Sequence, residues 1–159
     1  MRIRSGYSFH VAAGHLKDVV DRCAEIGMKT VPLTDRMSTF GFRRFRDLCL
    51  KKGIKPAYGV ELGVSHNPTA KKPVINYWTF LGKDNISSIN SLVAKATGES
   101  SSREPCLFFD AAIQAKNVIK IIGERELSPE NAKFDITNRI NDLVGLEDTY
   151  LALSPITPK

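Results

Sequence analysis

The sequence has no apolar run approaching the roughly 18 residues that a membrane-spanning helix needs. It has no N-terminal apolar segment followed by a small-residue cleavage site, so no secretion signal is read. Cysteine is scarce: Cys23, Cys49 and Cys106 are odd in number and far apart, which argues against a disulfide framework. Two of them fall on apolar faces of expected helices, which suits core thiols in a reducing compartment and places the chain in the cytoplasm. There are only three histidines, His10, His15 and His66, and their spacing is not that of a metal set, so each reads as a surface or loop residue. No P-loop, dinucleotide-binding glycine motif, Cys-x-x-Cys pair or nucleophile elbow occurs, which removes the commonest nucleotide, redox and serine-hydrolase readings. No internal repeat and no shift in composition divides the chain, so residues 1–159 are read as one domain.

What is present is ordinary in bulk and uneven in detail. Hydrophobic residues make up 42% and charged residues 25%, enough for a soluble domain with a real core. The net charge is +6, and the segment from Arg36 to Lys55 holds seven basic residues against one acid, Asp47. A basic face favours anionic partners, nucleic acid foremost, although a solvated helix surface has the same composition. The Arg43-Arg44-x-Arg46 cluster is therefore either an outward helical face or a phosphate-contacting surface. Phe40, Phe42, Phe45, Tyr77 and Trp78 could stack on bases, but their spacing suits core packing better.

Organisation is clearest from Gly27 to Glu61. An apolar run, Thr30–Leu33, leads into Thr34-Asp35-Arg36; Phe42, Phe45, Leu48 and Cys49 recur at helical spacing; a Gly-x-x-Pro break precedes a second apolar run carrying Glu61. This is strand, helix, strand, with polar residues where strands stop, the edge at which parallel α/β folds place chemistry. Before it, Met1–Ile3 is β-compatible, with Arg2 and Arg4 alternating onto one face. Gly14–Ile26 follows as an amphipathic helix stopped by Gly27. Downstream, residues 64–73 form a loop and Val74–Leu81 a strand. Asp84 or Asn85 caps a helix whose buried face is Ile86, Ile89, Leu92, Val93 and Ala96. Residues 98–105 are polar, Asp110 caps a brief helix, Val118–Ile122 is a strand, Ser128-Pro129-Glu130 starts a helix, and Tyr150–Leu153 is a last strand. About six mostly parallel strands with about five outer helices argue for an α/β sheet, open or closed into a barrel.

The order Met1-Arg2-Ile3-Arg4-Ser5-x-Tyr7-Ser8, Gly27-Met28, Leu33-Thr34-Asp35, Gly41, Gly53-Ile54-Lys55-Pro56 and Gly59-Val60-Glu61 resembles the PHP (polymerase and histidinol phosphatase) family. Within it, the likeness is to the PHP domain that opens the alpha subunit of bacterial DNA polymerase III. Phe80-Leu81-Gly82-Lys83-Asp84 and Ile89-Asn90-Ser91-Leu92 continue it in the same order, so the resemblance is good over residues 1–97 and faint over 98–159. It implies a distorted β/α barrel, here incomplete or completed by a partner, with a divalent metal cluster at the C-terminal edge of its strands. It also implies a domain that can dock a proofreading exonuclease.

The departures from the family pattern carry the functional expectation. The family's His-x-His-Ser reads Arg2-Ile3-Arg4-Ser5, and its Thr-Asp-His reads Thr34-Asp35-Arg36. A ligand aspartate falls at or near Val11, a strand histidine falls on Tyr77, and the small-residue-plus-cysteine motif falls near Gly123-Glu124. Guanidinium is a permanent cation with no lone pair for a metal, so the cluster is expected to be lost, with no cofactor in its place. Asp35, Glu61, Tyr77 and Glu124 then remain as residues of an ancestral site without catalysis. Arg2, Arg4 and Arg36 converge on the former metal pocket, either to hold a phosphate of DNA or to pair with Asp35 and Glu61 and plug it. The expected function is a catalytically inactive relative of the replicative polymerase subunit, of the kind a phage or mobile element carries. It would bind DNA or a replication protein such as a polymerase or exonuclease. Two alternatives stay open: a metal-dependent phosphoesterase with a remodelled site of Glu61, Asp35, His10 and Glu124, and a structural subunit that completes its barrel by oligomerising.

Overall fold

The structure, a computed structural model, describes residues 2–8, 11–71, 73–83, 86–99, 105–123 and 146–152. Six strands form one sheet: β1 (Thr30–Arg36), β2 (Lys55–Ser65), β3 (Asn76–Gly82), β4 (Cys106–Phe108), β5 (Val118–Gly123) and β6 (Thr149–Ala152). Their order is β1-β2-β3-β5-β6, with β4 also on β2. β1–β2, β2–β4 and β5–β6 are parallel, whereas β3 runs against both β2 and β5. Five described strands thus share a direction and β3 is reversed.

β2 is the spine. Its residues 59–64 pair with β3 along one edge, and the other edge is divided, residues 55–61 against β1 and 63–65 against β4. β2 therefore continues past Glu61, where the sequence reading had it stop, because β4 takes over the edge that β1 leaves. β4 lies between the polar stretch 98–105 and the brief helix expected at Asp110, where the sequence pattern assigns no element; three residues are too few for any periodicity to register. The N-terminal segment shows the opposite departure. Residues 2–5 run beside β1 without forming a strand, because the Thr34 hydroxyl accepts from Ile3 N (3.0 Å), a donor that a ladder would have used. One backbone bond, Thr34 N to Ile3 O at 2.8 Å, still fixes the alignment.

Period-2 alternation sorts the sheet into two faces. Val31, Leu33, Val60, Leu62, Trp78 and Phe80 occupy one face and are buried under helices α1 (Leu16–Glu25), α2 (Phe42–Lys51) and α3 (Ser87–Glu99). Leu16, Val20 and Cys23 from α1, Phe42, Phe45 and Cys49 from α2, and Ile89, Leu92 and Ala96 from α3 complete that core. All three cysteines are buried and in no disulfide, and burial pushes the Cys49 thiol up to about 11, leaving it inert at neutral pH. α1 and α2 each end in the same motif: Gly27 and Gly53 sit at φ +77° and +67°, and the amide after each glycine bonds three residues before the cap. That positive φ is what glycine supplies at a helix C-terminus, and it turns the chain directly into β1 and β2. The short helix α4 (Phe109–Ile113) is capped by Phe108, not Asp110, which lies inside its first turn. The expected caps at Asp84 or Asn85 and the helix beginning at Ser128 lie outside the described residues.

The opposite face carries Thr34, Arg36, Gly59, Glu61, Tyr77 and Thr79, residues aligned by register across β1, β2 and β3. Gly59 has no room for a side chain, since an added Cβ would lie 2.5 Å from Leu81 Cδ2 and 2.6 Å from the Phe80 carbonyl. Gly59→Ala is expected to cost about 1–3 kcal/mol by overpacking; a chemical-denaturation midpoint lowered without a change in slope would show it.

Candidate functional site

Glu61 is the centre of the polar face. It has no solvent exposure, and three guanidiniums surround its carboxylate: Arg2 Nη1 to Oε1 at 3.3 Å, Arg4 Nη2 also on Oε1, and Arg36 Nε to Oε2 at 2.7 Å. Backbone geometry explains the convergence. Arg36, the last residue of β1, is directly opposite Glu61 in the parallel register. Arg2 and Arg4 flank Ile3, which the Thr34 bonds fix beside β1, so the i, i+2 spacing delivers both to the same carboxylate. Tyr77, on the same face of β3, lies under the Arg36 guanidinium with its ring centroid 3.9 Å from Cζ, a cation–π contact.

Burial alone would push the Glu61 carboxyl up, but the hydrogen bonds and charges of Arg36 and Arg4 outweigh it and hold the pKa below the usual 4.5. The surplus charge is positive, three cations on one anion. The three arginine side chains keep 37%, 28% and 24% exposure in chain order, so part of each side chain still meets solvent. Two buried polar atoms at this place have no partner among the described residues: Arg4 Nε and Thr79 Oγ1, the latter on the residue opposite Glu61 in β3.

Asp35 is separate. Alternation turns it to the helix-covered face, opposite Val60, and it is fully buried. Its oxygens accept from Ser5 N (2.6 Å), Ser5 Oγ (2.9 Å) and Ser8 Oγ (2.7 Å), while Arg36 N donates to Ser8 Oγ at 2.9 Å. The arginines thus pair with Glu61 and not with Asp35, correcting half of the expected plug. A remodelled site shared by Glu61 and Asp35 is likewise corrected, since the two carboxylates lie on opposite faces of the sheet. His10 and Glu124, its other expected members, lie outside the described residues. Arg43, Arg44 and Arg46 are not at Glu61; they stand exposed on α2, away from this cluster. Val11 is half-buried, His15 is exposed ahead of α1, and the His66 ring packs 4.2 Å from Phe109. Sequence reasoning missed Ser5 and Ser8 as the partners of Asp35, and Thr79. A buried aspartate needs donors, and the two serines upstream were the available signal.

A divalent cation would need anionic or neutral donors with free lone pairs. Arg2, Arg4 and Arg36 offer none, both Glu61 oxygens are engaged by guanidinium, and both Asp35 oxygens by serine donors. Among the described residues no three His, Cys, Asp or Glu side chains converge on one point. The described residues at this edge do not supply the donor set of a divalent-metal cluster.

The described strands form a mixed six-stranded sheet with flanking helices, an α/β fold consistent with an incomplete β/α barrel. An amidohydrolase from Chromobacterium violaceum, solved with bound sulfate and no metal, superposes with a TM-score of 0.57 at 14% identity, covering 94% of this chain and 74% of that one; the likeness is one of fold. The sequence profile of the PHP domain matches residues 1–154, and the chain belongs to that family. Among curated relatives, the DNA polymerase III alpha subunit of Rickettsia bellii is 26% identical over 107 residues, 67% of this chain and 9% of that protein. The alpha subunit of Helicobacter pylori is 36% identical over 67 residues, 42% of this chain and 6% of that protein. The chain therefore corresponds to a small part of these polymerase subunits. No helix among the described residues is long and apolar enough to cross a membrane.

Because the folded pKa of Glu61 is depressed, its contribution to stability is present above the unfolded value and is lost as pH falls below about 4.5 through the folded pKa. Glu61→Gln should flatten that part of the stability–pH curve. At neutral pH it should cost about 2–3 kcal/mol, less than a fully buried broken pair, because the arginines can turn to water. Denaturation across acid and neutral pH tests both.

Proposed function

We propose that this chain is a non-hydrolytic PHP domain that holds a phosphate group at the Glu61 cluster, in a setting related to bacterial DNA replication. The observation that carries the reading is the cage of three arginines around one buried glutamate. In a metal-dependent phosphoesterase, cations at this edge bind the phosphate and activate the attacking water. Here guanidinium supplies positive charge without a water to activate. Arginine recognises phosphate oxygens through paired, charge-assisted hydrogen bonds, and the partial exposure of Arg2, Arg4 and Arg36 supports their reaching such a group. Glu61 has the role of spacer: it neutralises one charge, orients the three forks and keeps them from repelling each other apart. Arg4 Nε and the Thr79 hydroxyl are further donors at the same place.

The kinship with polymerase III alpha subunits supports a phosphate that belongs to DNA, or to a nucleoprotein surface of the replication machinery. In this reading, arginine at positions 2, 4 and 36 accounts for the absence of catalysis.

Binding of fluorescent DNA across a salt series tests this directly. Arg2→Ala/Arg4→Ala/Arg36→Ala should be made in a Glu61→Gln background, so that no buried carboxylate is left uncompensated. The arginine-free variant is expected to bind more weakly, with the slope of log affinity against log salt reduced by about 2. A generic phosphodiester incubated with Mg2+, Mn2+ or Zn2+ should show no turnover above the metal alone. Metal-dependent hydrolysis lost in Glu61→Gln would overturn the reading in favour of a phosphoesterase.

A further inference from the structure

Phe40 is 78% exposed, the largest exposure among the large apolar side chains of the described residues. The aromatic spacing Phe40, Phe42, Phe45 had read as core, and the structure corrects it for the first of the three: Phe42 and Phe45 are buried and Phe40 points out. A single exposed apolar residue is unremarkable. What surrounds Phe40 is not. Two clefts, about 480 and 510 Å3, open on either side of it, and Phe40 and Arg43 belong to the walls of both. Arg46 and Tyr58 line the first cleft, Arg44, Lys51 and the acid Asp47 the second.

The ring is held on a rigid base. Gly41, next in the chain, packs so closely that an added Cβ would lie 3.0 Å from Tyr7 Cδ2 and 3.3 Å from Leu16 Cδ1, and the Phe42 amide bonds to Thr39 O at 3.1 Å. The charge around it is largely uncompensated. Asp47 is the one acid of α2 and pairs with Arg46 at 3.0 Å, whereas Arg43, Arg44 and Lys51 form no ion pair among the described residues. The first turn of α2 contains no acid and its N-cap makes no side-chain bond, so the helix dipole adds to the same positive field.

We infer that this face of α2 is a second, independent binding surface, for single-stranded nucleic acid, with Phe40 as a stacking platform for a base and Arg43, Arg44 and Lys51 as phosphate contacts. An exposed aromatic flanked by cationic clefts is the arrangement that binds unpaired bases regardless of sequence, because every base has a π face and every nucleotide a phosphate. A duplex presents phosphates but hides its base faces, so it would use the arginines and leave Phe40 idle. An acidic protein segment would also answer the charge but gains nothing specific from the ring. The surface shares no residue with the Glu61 cluster, so the inference does not rest on the phosphate pocket.

The test is fluorescence anisotropy with the full chain, an oligothymidine of about 16 nucleotides and a duplex of the same length, over a range of salt. The single strand should bind more tightly than the duplex. Phe40→Ala should weaken the single strand roughly tenfold without altering the salt slope, Phe40→Tyr should restore it, and Arg43→Ala/Arg44→Ala should flatten the slope by about 1.4. The Phe40→Ala loss should persist in the arginine-free, Glu61→Gln variant, which separates this surface from the pocket. Equal affinity for strand and duplex, no effect of Phe40→Ala, or displacement of the strand by polyglutamate at comparable concentration would overturn the inference, the last by pointing to an acidic protein segment.

Discussion

A carboxylate with no access to water must be neutralised, and at Glu61 three guanidiniums do it. This ion cluster is the constraint on which the polar edge depends. It ties the N-terminal segment, which forms no strand of its own, to the end of β1 and the middle of β2, and Tyr77 of β3 closes it beneath Arg36. Desolvating Glu61 is costly, and only a close cationic surround makes that position compatible with an ionised side chain. The excess of cations over anions, with each arginine part-exposed, is the basis of the proposed phosphate binding.

The two acids of the edge divide the work by parity. Glu61 faces the polar side of the sheet, and Asp35, on the neighbouring strand, faces the helices. Asp35 draws Ser5 and Ser8 onto the end of β1, so it anchors the same N-terminal segment that Arg2 and Arg4 anchor from the other face. The segment is therefore pinned on both sides of the sheet. These contacts hold the N-terminal segment in place on the family fold, and the function has to be argued from the site, since the fold alone supports many.

Much of this edge was legible in the sequence. Strand alternation placed Arg2 and Arg4 together, and the family motif aligned Arg36 and Glu61 with them; both inferences rest on rules that hold locally. The amphipathic helices and their glycine stops were legible for the same reason. What was not legible depended on non-local geometry. The face of Asp35 follows from its pairing with Val60, which no spacing within one strand reveals. β4 is too short to show a period, and it forms because β1 leaves an open edge of β2. Phe40 has the composition and spacing of a core residue, and its exposure is decided by where the turn before α2 packs through Gly41.

Under the proposal, guanidinium charge stands where the family places metal charge. Calorimetric titration of the intact protein with inorganic phosphate and, separately, with Mn2+ addresses it most directly. The account predicts saturable heat with phosphate that diminishes as salt is raised, and none with Mn2+. Stoichiometric Mn2+ binding that is abolished by Glu61→Gln, with no response to phosphate, would contradict it.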